Sequence, residues 1–150
     1  MPGRNRPKHN RAREASRAKR PVEDRTARFG DEHPKFSFRF LDLNGPWGWS
    51  RCGAGDRTAV LDFLVTISSR TWAQLRQPHS GVGEYHAQSF DSLEKAAQER
   101  ASEIKLDEKA SQLTRFRLGE MQRLWGFEQH GVFYLVWWDP DHTVYIVPKR

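Results

Sequence analysis

The last third of the chain does most to limit what it can fold into. From Leu113 to Arg150 it reads LTRFRLGEMQRLWGFEQHGVFYLVWWDPDHTVYIVPKR, short aromatic and β-branched runs cut by turn residues. Runs of that kind, bounded by Gly, Pro, Asn and Asp, are the pattern of paired strands. The spacing predicts strands over Leu113–Leu118, Gln122–Phe127 and Val132–Trp138, joined by a turn at Gly119-Glu120 and a hairpin loop over Glu128–Gly131. Pro140-Asp141 ends the third, and Thr143–Val147 follows as a last short strand or an extended tail. Consecutive hairpins make an antiparallel meander. In the third run Val132, Tyr134, Val136 and Trp138 alternate with Phe133, Leu135 and Trp137, and both sets are apolar. That strand is therefore expected at the centre, with its second face covered by the Trp47 loop or by a partner.

Upstream, Lys35–Leu43 (KFSFRFLDL) places Phe36, Phe38 and Phe40 at period two, a strand that Asn44-Gly45-Pro46 terminates. Trp47 and Trp49 follow in a Gly-rich loop; they either stack on a base or fold back to cap the core, and the second is the commoner use. Asp56 is placed to cap a helix over Arg57–Ser68, with Val60, Phe63, Leu64 and Ile67 on one face. A strand through Val65-Thr66-Ile67 competes with that helix. Ser68 or Ser69 would cap a short turn holding Trp72 and Leu75. Gln77–Phe90 reads as a polar loop carrying His79 and His86. Asp91-Ser92-Leu93-Glu94 has capping-box spacing for a helix to about Lys105. Its apolar stripe is Leu93, Ala96, Ala97, Ala101 and Ile104, and Glu94, Lys95, Gln98, Glu99 and Arg100 form a solvated face. Strand, two helices, then three or four antiparallel strands is an α+β plan of two layers, both helices on one sheet face.

Charge divides the chain. Met1 to Arg28 holds ten Lys/Arg against three acids, a surplus of seven in a chain whose formal charge is +6, so the remainder is near neutral. After Met1, residues 2–34 contain only Val22 and Phe29 as large apolar side chains, too few to offset the roughly 1–2 kcal/mol per residue that ordering costs. We expect a disordered basic tail over 1–34 and one folded domain over 35–150. The tail is either a phosphate-contacting arm, through Arg4, Arg6, Lys8, Arg11 and Arg13, or a solubilising linker. The single cysteine, Cys52, allows no intrachain disulfide and fits a reducing compartment. No run approaches the ~18 apolar residues of a membrane span. A cytoplasmic protein is the expectation.

Chemistry concentrates at the ends of the predicted strands. Arg115 and Arg117 stand two apart and share a face, and Arg123 lies across the turn from Arg117. Guanidiniums so placed hold a phosphate bidentately and stabilise charge developing in phosphoryl transfer. His142 is suited to proton transfer near neutral pH and Tyr145 to orienting or stacking a base. The ordinary alternative is a half-exposed sheet with a turn-capping His142 and a core Tyr145. A metal at Asp139, Asp141 and His142, or at His79 and His86, is the lesser option, because neither set has the usual ligand spacing. No cofactor motif is present.

These residues carry a resemblance. RFRLGEMQRLWGF followed by VFYLVWWDPDHTVY resembles the C-terminal half of the RelE/ParE superfamily of bacterial toxins, whose members show an Arg-x-Arg-x-Gly turn, a further Arg in the next strand, an apolar strand, and a closing His or Arg with Tyr. It is similar also to a group of bacterial proteins with a WWDPxHxVY-type ending, which share the FRF strand and Thr71-Trp72-Ala73. The resemblance implies one strand, two helices and an antiparallel meander. It implies a toxin of a toxin–antitoxin system, acting as an endoribonuclease on RNA, often on the ribosome, with an antitoxin protein as partner; ParE-like members inhibit gyrase instead. By position it assigns Arg117 and Arg123 to phosphate and His142 and Tyr145 to the catalytic end. The alternative is a non-catalytic module that binds nucleic acid or the ribosome through the N-terminal arm.

Overall fold

The computed structural model describes residues 29–78 and 83–147. The tail residues Arg4, Arg6, Lys8, Arg11 and Arg13, and His79 of the loop, lie outside the described residues. The elements run β1 (Lys35–Ser37), α1 (Ala54–Ser68), α2 (Trp72–Arg76), β2 (His86–Ser89), α3 (Lys95–Glu103), β3 (Gln112–Arg117), β4 (Arg123–Gln129) and β5 (Val132–Asp139). The fold is α+β. Its five strands form one mixed sheet in the order β1-β5-β4-β3-β2. β1 is parallel to β5, and every other pair is antiparallel.

The predicted helix at 57–68 forms, because Val60, Leu64 and Ile67 bury one stripe against the sheet. The competing strand loses for the same reason. The helix starts three residues earlier than expected, with Gly53 at the cap. Asp56 sits in the first turn, where a carboxylate suits the helix dipole, and accepts a bond from Trp138 Nε1 at 3.2 Å. The short helix α2 is capped by Thr71, not by Ser68 or Ser69, in a reciprocal capping box with Gln74. In α3 the cap position falls to Glu94, without a side-chain bond, and Asp91-Ser92 belong to a 3-10 turn instead.

The two-layer expectation fails. α1 and α2 pack on one sheet face, where Val60, Leu64, Ile67, Trp72 and Leu75 meet Phe116, Leu124, Phe133, Leu135 and Trp138. α3 packs on the other, where Ala97 and Ala101 meet Leu113, Trp125, Phe127, Val136 and Trp137. The sheet is the middle of three layers. A core on each face explains why both faces of β5 are so rich in aromatics, and a β-bulge sets which side chain falls on which face. Trp125 pairs with Trp137 and Gly126 with Leu135, so Val136 is the extra residue. The bulge shifts the alternation by one. Val136 and Trp137 therefore fall on the α3 face together, and Trp138 turns to the α1 face. The freed carbonyl of Val136 accepts from Asp42 N and Trp49 Nε1, both at 3.0 Å. Trp47 and Trp49 do fold back, one on each face, against Trp137 and Trp138.

Other boundaries moved. β4, not β5, is the central strand. β1 stops at Ser37, so Phe36 and Phe40 join opposite cores and Phe38 is exposed. Residues 143–147 form no strand; the fifth strand is β2, inside the segment read as loop. Ala96 is exposed, whereas Arg100 is not solvated surface. Arg100 forks onto buried Asp42 at 2.9 and 2.8 Å, and Asp42 also accepts from Trp137 Nε1 at 2.8 Å. This pair ties α3 to the Trp47 loop. Residues 29–34, expected in the tail, dock on α2: Trp72 N donates to Glu32 O at 3.0 Å and Ala73 N to Gly30 O at 2.9 Å. Among the described residues no helix is long and apolar enough to cross a membrane.

Candidate phosphate-binding and proton-transfer site

Register brings the arginines together. Arg117 pairs directly with Arg123, and Arg123 with Asp139, in one row across β3, β4 and β5. A second row runs His86, Arg115, Trp125, Trp137 across β2 to β5. Directly opposed residues of antiparallel strands share a face, so Arg115, Arg117 and Arg123 all stand on the α3 face.

Asp139 builds the other wall. It is fully buried, and its carboxylate accepts Thr143 N at 2.9 Å, Thr143 Oγ1 at 3.2 Å and Val144 N at 3.0 Å. Those bonds close the turn after β5 and hold His142 at φ +57°, a left-handed backbone that few non-glycine residues adopt. Thr143 Oγ1 in turn accepts from Trp47 Nε1 at 2.8 Å. The turn therefore lays His142 and Tyr145 over the arginines. Arg115 Nη1 lies 3.0 Å from His142 Nε2, and the Arg115 guanidinium sits 5.1 Å from the centre of the Tyr145 ring and 6.0 Å from that of Trp125.

A guanidinium only donates, so His142 Nε2 accepts and the ring proton sits on Nδ1. His142 is neutral in this arrangement. Burial, then Arg123 and Arg115, hold its pKa below the ordinary 6.5. Burial likewise pushes the Arg115 and Arg123 guanidiniums down from their usual range. Neither forms an ion pair among the described residues.

The three arginines are not equivalent. Arg123 is buried, and its Nη1 donates to the carbonyls of Gly119, Glu120 and Gln122 at 3.1, 3.2 and 3.0 Å. It clamps the β3–β4 turn and adds charge from beneath. Arg117 is half exposed; its Nε donates to Gly119 O at 3.0 Å, and its Nη1 stands 3.8 Å from Glu84 Oε2. A cleft of about 350 Å³ opens there, lined by Gly83, Glu84, Arg117, Leu118 and Gly119. Arg115, whose side-chain partner is a neutral imidazole, has the guanidinium most in need of an anion. Beneath it, Trp125 Nε1 is buried without a hydrogen-bond partner. Such an orphan costs on the order of 1–3 kcal/mol.

The arrangement thus offers charge for a phosphodiester, a neutral imidazole for its proton chemistry, and a tyrosine ring for a base. The metal reading of Asp139, Asp141 and His142 does not fit, since the Asp139 carboxylate is spent on the turn's amides. Among the described residues no cluster of His, Cys, Asp and Glu has the arrangement to hold a metal ion.

Glu84 and His86 leave no mark in the sequence as neighbours of these arginines. The strand His86-Ala87-Gln88-Ser89 contains no large apolar residue, and it pairs through backbone alone at the sheet edge. A second polar cluster was equally hidden. Glu128 pairs with Arg76 and accepts from Tyr85 Oη at 2.9 Å, beside a cavity of about 650 Å³ at the opposite end of the other face. Burial, then Glu128, pushes the Tyr85 phenol well up. That cluster satisfies its own hydrogen bonds and buttresses α2. A scan of protein-family models and searches of curated proteins and of solved structures return no match to this chain.

Proposed function

We propose that the chain is a RelE-like endoribonuclease, a toxin of the toxin–antitoxin kind, that binds a phosphodiester of RNA on the Arg115, Arg117 and Arg123 face. The observation that carries this reading is the Arg115–His142 contact: a guanidinium without a carboxylate, bonded to a neutral imidazole whose base lone pair it covers. A phosphate oxygen is the stronger acceptor and draws Arg115 Nη1 away. His142 Nε2 is then free to take the proton of the 2′-hydroxyl as the 2′-oxygen attacks phosphorus and the P–O5′ bond breaks. Arg117, at the mouth of the cleft, contacts the same or the next phosphate. Arg123 contributes field rather than contact, and Tyr145 stacks a base. The first strand, the helices and the closing meander β3–β4–β5 support the RelE-like layout, with α3 on the sheet face that carries the arginines and β2 as an added edge strand.

The test is cleavage of single-stranded RNA by the purified chain. Arg115→Gln and His142→Ala should each lower the rate by about 10²–10⁴-fold, while Lys95→Gln on the exposed face of α3 leaves it unchanged. Cleavage that survives both site variants would refute the reading. The alternative, a non-catalytic nucleic-acid module, is favoured by one observation, the surplus of seven positive charges before residue 29.

A further inference from the structure

Departure of the 5′-oxygen leaves an alkoxide unless a proton reaches it, and His142, as the base, begins without one to give. The row across the sheet supplies a second imidazole. His86 pairs directly with Arg115 across β2 and β3, so its side chain rises on the same face as the three arginines. It stands on the opposite side of Arg115 in the sheet from the turn that carries His142. Its ring is half exposed and open to a bound chain, and its Nε2 lies 3.9 Å from Glu84 Oε2, the oxygen that also faces Arg117 Nη1 at 3.8 Å. One carboxylate thus faces both the imidazole and the arginine at the cleft.

We propose that His86 is a further catalytic residue of this site, the general acid that protonates the 5′-oxygen. The inference rests on the RNA-cleaving reading above. The 2′-hydroxyl proton passes to His142 Nε2 as the O2′–P bond forms. The P–O5′ bond breaks, and the proton of the His86 imidazolium passes to the 5′-oxygen. The products are a 2′,3′-cyclic phosphate and a 5′-hydroxyl, and proton exchange with water resets the two histidines. Glu84, facing His86 and Arg117 together, is a positioning residue for the acid.

The experiment compares two RNA substrates of one sequence with the full chain: one with the natural 5′-oxygen at the scissile bond, one with a bridging 5′-sulfur, whose thiolate leaves without a proton. His86→Ala and the bulkier His86→Gln should slow cleavage of the oxygen substrate about 10²–10⁴-fold and leave the sulfur substrate within a few-fold of wild type. His142→Ala should slow both. Equal loss on the two substrates in both His86 variants, or no loss on either, overturns the role of His86. If the wild-type chain cuts neither substrate, the RNA-cleaving reading itself falls, and the general acid with it.

Discussion

Asp139 decides where His142 points. Its two oxygens take the amides of Thr143 and Val144, and the imidazole carried on the turn so closed lies against Arg115. Asp139→Ala should therefore act twice. It leaves the buried amide of Val144 unpaired, at about 1–3 kcal/mol, and it releases His142. Thermal denaturation should show a clear loss of stability, and cleavage should fall as in His142→Ala; an unchanged melting temperature would count against this role for Asp139. At this level the sequence pointed to residues that lie together and not to what each of them bonds. The pattern Arg-x-Arg, a further Arg and a closing His singled out residues that lie close in space, with His142 on Arg115 and Arg117 opposite Arg123. It did not show that Arg123 spends itself on a turn, because carbonyl partners in a loop leave no trace in side-chain spacing. Nor did it show Asp42–Arg100, where a helix residue that scans as solvated finds a buried carboxylate.

Among the elements, the β4–β5 bulge has the widest consequences. It sets Val136 and Trp137 side by side on the α3 face and turns Trp138 to the α1 face, so it decides which core each of these side chains fills. Gly126 is its hinge: a Cβ there would lie 2.1 Å from Tyr134 O and 2.6 Å from Phe133 Cζ. Gly126→Ala should destabilise the fold by about 1–3 kcal/mol or more, read by denaturant titration, with a larger effect than Gly119→Ala, where the nearest atom is the flexible end of Gln122 at 3.2 Å. Equal effects at the two glycines would contradict this account of the bulge. Strands and helices with apolar periodicity (α1, α3, β3, β4 and β5) were legible in the sequence. The layer assignment was not, since the face that α3 takes is set by contacts far apart in sequence, such as Ala97 and Ala101 on Trp137 and Arg100 on Asp42. β2 was invisible for a different reason: an edge strand needs only backbone pairing, and its polar side chains read as loop.

The whole molecule combines a near-neutral folded body with a strongly basic first 28 residues. Affinity for RNA should therefore have two separable parts, a long-range one from the tail and a local one from the arginine face. Deleting residues 1–28 should weaken binding and flatten its dependence on salt, because fewer counterions are released. The deletion should leave the choice of cleavage position unchanged. A salt slope that is the same with and without the tail would show that the tail takes no part.

The most direct measurement is the titration of His142 by NMR, alone and with a 2′-deoxy oligonucleotide that cannot be cleaved. In the free chain the imidazole should titrate below 6.5, since burial and the neighbouring Arg123 and Arg115 disfavour its charged form. A phosphate that draws Arg115 away and brings negative charge favours the imidazolium, so the midpoint should move up on binding, and Arg115→Gln should abolish most of that shift. A midpoint that does not move when the oligonucleotide is bound would mean that the phosphate does not reach the Arg115–His142 pair, and the proposed site would be wrong.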